Sequence, residues 1–459
     1  MKLRPDGSSR RSVLIASILF MGLAHILFLK QYIKGLLFAA LQVFMITRIP
    51  WVITNIRGMI TLGEPNPFVP VIYRDHSMFM LIDGVITVAV VFLFLCVYYI
   101  SVKSALKLYT EYCTNGWRIP IVARQKGLKG FVKFVFDVTL REIRAFRSSL
   151  NNSFPILALA PSVLLVMFFI VVPLIFASLV AFTNYSHPHN LPPANTVDWV
   201  GLENFRHMFG GHTMWTSALT RVAVWTLVWA FCATVTCYFG GMLMAVIMKE
   251  FKIKFSGFFR TIFILPYAVP AIISMLVWRN LLNGSFGAIN RTLMHFGIIE
   301  NIIPWLTDRW LVLFTVVLVN LWAGFPYFML LAMGSMTAIS EDVFEAAKID
   351  GASKFQLFKS VTLPLVIFQT MPLIIMSFTH NINNFGAIFF LTQGHPFVAD
   401  SPATGATGVD ILITWIYRLT MERMWYNYAS VLAVMIFVAL APFAIFQFSR
   451  TKAFKEGEL

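Results

Sequence analysis

Nine apolar runs punctuate the chain, near 13–29, 35–54, 79–101, 155–182, 217–248, 259–281, 310–336, 363–392 and 427–449. A helix needs about 20 apolar residues to cross a bilayer. In lipid the backbone must satisfy its own hydrogen bonds, so such runs are expected as helices. The polar–apolar alternation that marks the strands of a membrane barrel is absent. The pattern therefore predicts an all-α, polytopic membrane protein. One polar interval stands out: "EAAKIDGASKFQLFKSVTLP", Glu345–Pro364, reads as two short amphipathic helices broken by a glycine between two apolar runs.

Composition supports this reading. Of 459 residues, 58% are hydrophobic and 12% charged, against about 25% charged in soluble domains, and mean hydropathy is +0.75. The net charge of +15 does not point to nucleic acid, because no basic stripe lies on a soluble domain. Lys and Arg collect instead in the cytoplasmic loops of membrane proteins. Cys96, Cys232 and Cys237 lie in apolar runs and Cys113 in a basic loop, with no metal-binding spacing. A removed signal peptide is not expected, since no small-residue cleavage site follows the first apolar run.

Positive charge sets the orientation. Segment 102–154 carries Lys103, Lys107, Arg118, Arg124, Lys126, Lys129, Lys133, Arg141, Arg144 and Arg147 against three acids, which makes it a cytoplasmic loop. Alternation then places 249–258, 337–362 and the tail 450–459 in the cytoplasm, and the loops 183–216, 282–309 and 393–426 outside. Segment 13–29 is short and basic at both ends. It is expected to lie in the interface or to dip in and out, leaving eight spans with both termini cytoplasmic; a ninth span with an exported N-terminus is the alternative. The chain divides into an N-terminal segment and two-span hairpin (1–101), a basic linker (102–154), a six-span core (155–449) and a tail. The linker stretch "FVKFVFDVTLREIRAF" is expected as a basic helix on the inner leaflet.

Energy for transport has no evident source in this chain. There is no GxxxxGK[ST] phosphate loop, and no GxSxG or HExxH catalytic motif. The core spans lack the buried acids of ion-coupled carriers. Arg221 and Arg279 fall near the expected outer membrane edges, where snorkelling accounts for them. His380 is the one ionisable group deep in a span, either a satisfied interior histidine or a proton relay. A pore-forming subunit that borrows its energy is the leading reading. A self-sufficient secondary carrier or channel would have to rely on His380, and a membrane enzyme has no acidic cluster to work with.

The polar interval suits that role. Ser340 is expected to cap a first helix, with Glu341 and Asp342 at its positive end. Gly351 stops that helix in the left-handed conformation. Ser353 and Gln356 form a capping-box pattern for a second helix that leads through Phe355 and Phe358 to Pro364, at the start of the next span. An ordinary amphipathic interfacial loop would have the same pattern.

Glu345-Ala346-Ala347, Asp350-Gly351-Ala352, Val361 and Leu363-Pro364 resemble the EAA loop of binding-protein-dependent ABC import permeases. "WAGFPYFMLLAMGSMTAIS", "SFTHNINNFGAIFFLTQGHP", "VGLENFRHMF" and the run beginning "FPILALAPSVLLVMFF" look like the larger permease subunit of maltose-type transporters. The resemblance covers about 150–449. Loop 183–216 lacks the large extra domain of some members, which suggests the compact form of Gram-positive bacteria. The family's TxGGP appears as Thr392-Gln393-Gly394-His395-Pro396, with His395 in place of a glycine. The resemblance implies that Glu345, Ala346, Ala347, Asp350, Gly351 and Ala352, with Phe355 and Phe358, couple this chain to an ATPase. The implied partners are a second related permease, two ATPase subunits that bind ATP and Mg²⁺, and an extracellular sugar-binding lipoprotein; no cofactor is expected on this chain.

A sugar site needs amides, hydroxyls and an aromatic face. Ser377, Asn381 and Asn384 fall at i, i+4 and i+7, on one face if the helix is continuous, with Thr379, His380 and Asn383 alongside. By resemblance these match substrate-contacting positions, and Gly324, Tyr327 and Phe328 contribute from the preceding span. The alternative is that these polar groups join neighbouring helices. The sugar stays open among maltose, maltodextrins, cyclodextrin, galactooligosaccharides and other glycosides.

Overall fold

A computed structural model describes residues 9–66, 68–114, 140, 143, 154–250 and 255–449. The helix expected in "FVKFVFDVTLREIRAF" lies, save for Leu140 and Ile143, outside the described residues, as does the tail 450–459. The regular elements among the described residues are helical, and one isolated bridge joins Thr183 to Trp199.

Among the described residues, five helical stretches are long and apolar enough to cross a membrane: Val71–Thr114, Ala158–Val180, Thr213–Lys249, Leu311–Thr337 and Lys354–Ile382. Two more candidates are bent pairs, Tyr32–Thr47 with Ile49–Thr61 at 50° and Ser256–Ala268 with Ala271–Leu281 at 93°. With the apolar helix Tyr426–Phe448, they correspond in order to the eight expected spans. The protein is an all-α, multi-pass membrane protein.

The structure breaks three runs that the hydrophobic pattern left continuous. In the first span, run 35–54, the helix restarts at Ile49–Thr61 with Pro50 in its first turn, the position where proline's missing N–H costs least. The run 259–281 turns sharply at Val269–Pro270, because proline cannot donate into the helix ladder and its ring crowds the preceding turn. The run 363–392 starts earlier and ends earlier than expected. The helix is continuous from Lys354 through a wide turn at Phe358–Thr362 to Ile382, stops at Asn383, and a separate helix spans Phe385–Thr392.

Segment 13–29 forms two short helices, Arg10–Leu19 and Leu23–Leu27, neither long enough to span. Their apolar residues Val13, Ala16, Ala24 and Leu29 are buried against Ala105 and Tyr109 of the Ser77–Thr114 helix. One side of this segment packs on protein, while Ile15, Ile18, Leu19 and Leu27 are exposed.

The chain divides into two compact units, residues 1–179 with 188–198, and 180–187 with 199–459. In the first, Asn55 Nδ2 donates to Thr87 Oγ1 at 2.9 Å, joining the Ile49–Thr61 and Ser77–Thr114 helices. In the second, the Thr213–Glu250 helix packs along Leu311–Thr337 and along the 363–382 helix. A Cβ at Gly241 would lie 2.6 Å from Met329 N and Phe325 O, so the two backbones touch at this crossing. Small residues permit such close approach between membrane helices. Around it Tyr238, Met242, Phe328, Met329, Met336 and Val366 form a buried cluster.

The 393–426 connection, expected outside, is held by ion pairs as well as by apolar packing. Arg221 does not snorkel: its Nη1 donates to both carboxylate oxygens of Asp400 at 2.7 and 2.8 Å. Arg418 lies 3.3 Å from Asp410 and 3.0 Å from Glu422, and its Nη2 donates to the Gln393 carbonyl at 2.8 Å. Burial pushes the Asp410 carboxyl above the usual range, while Arg418 and the hydrogen bonds from Thr407 and Thr414 pull it back. Gly394 has φ +78°, and a side chain there would collide with the Arg418 guanidinium. The glycine that this turn requires is thus Gly394, whereas His395 is exposed and stands beside Phe397, which is why the loop accepts a histidine there.

Candidate functional site

The residues expected to meet sugar line one cavity of about 500 Å³ in the second unit: Gly324, Tyr327, Phe328, Ser377, Asn381 and Asn384, joined by His380. They converge because three segments meet there. The Leu311–Thr337 helix supplies its 320–328 stretch, the 363–382 helix its C-terminal turns, and the bend near Val269–Pro270 brings Tyr267 and Ala271 to the rim. Tyr267 and Tyr327 stand 6.0 Å apart between ring centroids and give the cavity an aromatic wall.

The polar residues are not equivalent. Because the helix ends at Ile382, Asn384 does not share a helix face with Ser377 and Asn381. It caps the next helix, its side-chain oxygen accepting from Ala387 N at 3.3 Å, while its Nδ2 donates to Asn381 Oδ1 at 3.3 Å. Asn381 is 6% exposed; its Nδ2 donates to Thr234 Oγ1 at 3.0 Å and its carbonyl accepts from Trp229 Nε1 at 3.0 Å. Asn381 therefore ties two helices together as well as reaching the wall. Phe328 is 4% exposed and packs edge-on against Tyr238, so it supports the wall. Gly324 marks a close approach: a Cβ there would lie 2.7 Å from Cys237 Sγ. Ser377 and Asn384 are half-buried and His380 is exposed; these, with Tyr327, are the side chains best placed to meet a ligand.

The polar interval forms two helices. The first spans Glu341–Ile349, with Glu341 and Asp342 in its first turn. Ser340 sits at the N-cap in extended geometry, but its side chain makes no capping bond there; the expected hydroxyl cap is absent. Gly351 has φ +78°, the left-handed stop that glycine adopts without strain. The Ser353–Gln356 capping box is formed at 2.9 and 3.3 Å.

The interval has two faces. Phe344 and Phe358 pack against the helix cluster around Met336, Ile339 and Val366, and Lys249 covers Phe344 while donating to the Met336 carbonyl at 2.7 Å. Glu345, Ala346, Asp350 and Gly351 are exposed, Ala347 and Ala352 half-buried. Ile349 and Phe355 are 85% and 70% exposed. Two bare apolar side chains on an otherwise charged segment mark a contact surface.

Residues 238–451 match the family described as the inner membrane component of binding-protein-dependent transport systems. The chain is 35% identical over 428 residues to the galactooligosaccharides transport system permease protein of Bacillus subtilis, covering 93% of this chain and 94% of that one. It is 32% identical over 433 residues to the maltodextrin transport system permease protein of Streptococcus pneumoniae, covering 93% and 92%. The chain belongs to this family of sugar-transport permeases. Against the maltose/maltodextrin permease of Vibrio vulnificus, identity is 37% over 258 residues, covering 55% of this chain and 48% of that one. A bacterial alginate ABC transporter, solved with an alginate pentasaccharide-bound periplasmic protein, contains a chain that superposes with TM-score 0.53 at 19% identity. That match covers 66% of the permease and 96% of the alginate chain, and it shows the shared fold.

The cavity of the permease also includes residues that the hydrophobic pattern concealed. Asn320 donates to Cys237 Sγ at 3.4 Å on the cavity wall, and Thr234 holds Asn381. Thr234 supports Asn381 from outside the lining. Asn320 is a polar residue in a long apolar run; that was the available signal, but its meaning depends on which helix lies opposite. Tyr267 reaches the rim only because of the bend that follows it.

Proposed function

We propose that this permease carries oligosaccharides of the maltodextrin–galactooligosaccharide class into a bacterial cell, as one subunit of an ATP-driven importer. The observation that carries the reading is the cavity described above, where amide, hydroxyl, imidazole and tyrosine groups face a common space without a carboxylate among the lining residues. Such a lining suits uncharged polyols, which are recognised by directional hydrogen bonds and ring faces.

The six-span core, residues 155–449, is the transport unit, with both termini cytoplasmic. It pairs with a second related permease, two ATPase subunits and an extracellular sugar-binding lipoprotein. ATP and Mg²⁺ bind on the ATPase partners and none on this chain. The 341–358 helices dock on the ATPase through Ile349, Phe355 and the exposed Glu345, Ala346, Asp350 and Gly351. Phe344 and Phe358 anchor the same helices to the span bundle. Closure of the ATPases on ATP is thereby passed to the 354–382 helix, whose far end carries Ser377, His380 and Asn381. Movement of one continuous helix links the coupling surface to the cavity, which is alternating access in mechanical terms.

The test is reconstitution of the complete complex in proteoliposomes, with uptake of radiolabelled maltotriose and a galactotriose followed with and without ATP. ATP-dependent uptake of at least one series, requiring the binding protein, is expected. Uptake by this chain alone, driven by an ion gradient, would overturn the reading.

A further inference from the structure

A second cavity of about 500 Å³ lies beside the expected outer loops, in the same unit, lined by Arg279, Asn280, Asn283, Ser285, Phe286 and Gln393 among others. It shares its two walls with the inner cavity. The Ala271–Leu281 helix presents Ala271, Ile272 and Met275 to the inner space and Arg279 and Asn280 to the outer. The segment around Phe385–Thr392 presents Gly386 and Ala387 to the inner space and Thr392 and Gln393 to the outer. Met275 and Arg279 are one helical turn apart, about 6 Å along the axis, so the cavities follow one another along a common wall.

The polar part of the outer lining offers donors without a carboxylate among the lining residues, beside the apolar Ile302, Pro304 and Leu306. Arg279 Nη1 is buried with no hydrogen-bond partner. A guanidinium nitrogen buried without an acceptor is costly, and the half-buried Arg279 cannot shed its charge. Asn283 is oriented by its own loop, its Oδ1 accepting from Ser285 N and Phe286 N at 2.9 and 3.1 Å, which leaves its NH₂ as a donor. Phe286 adds an exposed ring. A guanidinium, amides, a hydroxyl and an aromatic ring constitute a saccharide-binding set.

We propose that this outer cavity is a second saccharide subsite, in which Arg279 donates to the hydroxyl oxygens of an oligosaccharide whose leading end occupies the inner cavity. The proposal rests on the import function proposed above. The subsite holds the trailing units of a long chain while the leading units fill the Ser377–Asn384 region. A disaccharide fits the inner cavity alone and does not use it.

The experiment compares wild type, Arg279→Gln and Asn280→Ala in the full complex in proteoliposomes, at saturating sugar-loaded binding protein. The probes are maltose and maltopentaose, with galactobiose and a galactopentaose in parallel. Both variants are expected to lower pentasaccharide transport five-fold or more and disaccharide transport less than two-fold. Equal loss on both lengths, or no loss on either, overturns the subsite while leaving the import function standing. If wild type moves neither series with ATP, both readings fall together. Asn280 is exposed, so its variant folds and keeps the comparison decisive should Arg279→Gln assemble poorly.

Discussion

The side-chain amide of Asn381 donates to Thr234 Oγ1 at 3.0 Å and joins the 363–382 helix to the Thr213–Glu250 helix. Asn381 is thus a structural crossover at the edge of the candidate sugar site. Interhelical hydrogen bonds in membranes contribute about 0.6–2 kcal/mol. Asn381→Ala is expected to lower the thermal midpoint of the purified complex by an amount equivalent to about 1 kcal/mol, together with transport. Ser377→Ala should leave the midpoint unchanged and still reduce uptake several-fold. Equal midpoint losses for both would place Ser377 in the scaffold.

Ile349 and Phe355 are 85% and 70% exposed on the 341–358 interval. Replacing either with Ser should change stability by less than about 0.5 kcal/mol, as for exposed sites generally. Sugar-stimulated ATPase activity should nevertheless fall ten-fold or more, and the ATPase subunits should be lost on co-purification. Gly351→Pro and Glu345→Lys are expected to abolish uptake with membrane insertion intact. Full coupling in the Ile349 and Phe355 variants would remove the docking surface from this segment.

Two glycines of the permease core make a controlled pair. Gly241→Ala drives a Cβ into the backbone of the Leu311–Thr337 helix, with both nearest atoms at 2.6 Å, and overpacking of this kind costs about 1–3 kcal/mol. Gly334→Ala meets nothing within 4 Å and removes a helix-weakening glycine, a gain of about 0.5–1 kcal/mol. Thermal unfolding of the two variants should therefore shift in opposite directions.

Arg418 is 4% exposed at its side chain and faces Asp410 and Glu422. Removing one partner of a buried pair costs about 3–5 kcal/mol. Arg418→Met is expected to destabilise the outer loop by an amount of that order, visible as faster hydrogen exchange over 393–411. Glu422→Gln, on the solvent side, should cost about 1 kcal/mol or less. If exchange over 393–411 stays slow in Arg418→Met, the loop is held by its apolar contacts instead.

Much of the fold was legible because lipid enforces it. The long apolar runs became helical, and the capping box at Ser353 and the stop at Gly351 formed as their residue types dictate. Continuity was not legible. The break at Val269–Pro270 falls inside a run that stays apolar on both sides, and the break at Asn383 follows polar residues that a continuous helix would also place on one face; hydropathy does not distinguish a bend from a straight helix. Ser340 sits at the N-cap in extended geometry but makes no capping bond, so residue type gave the position of the cap and not its hydrogen bond. Arg221 looked like a snorkelling cation because its partner, Asp400, lies 179 positions away in sequence.

The candidate sugar residues divide along the same line. Their chemistry, amides and hydroxyls in otherwise apolar helices, was evident from residue type alone. Their individual roles were set by neighbours far away in sequence, with Thr234 and Trp229 occupying Asn381, and the helix end making Asn384 a cap. The sequence by itself determined the all-α membrane architecture and the split helical interval at 341–358, since both follow from local hydropathy and backbone chemistry. Tertiary structure alone decided where helices bend, which polar groups are already paired, and which remain to face a cavity, because those depend on what packs opposite each residue.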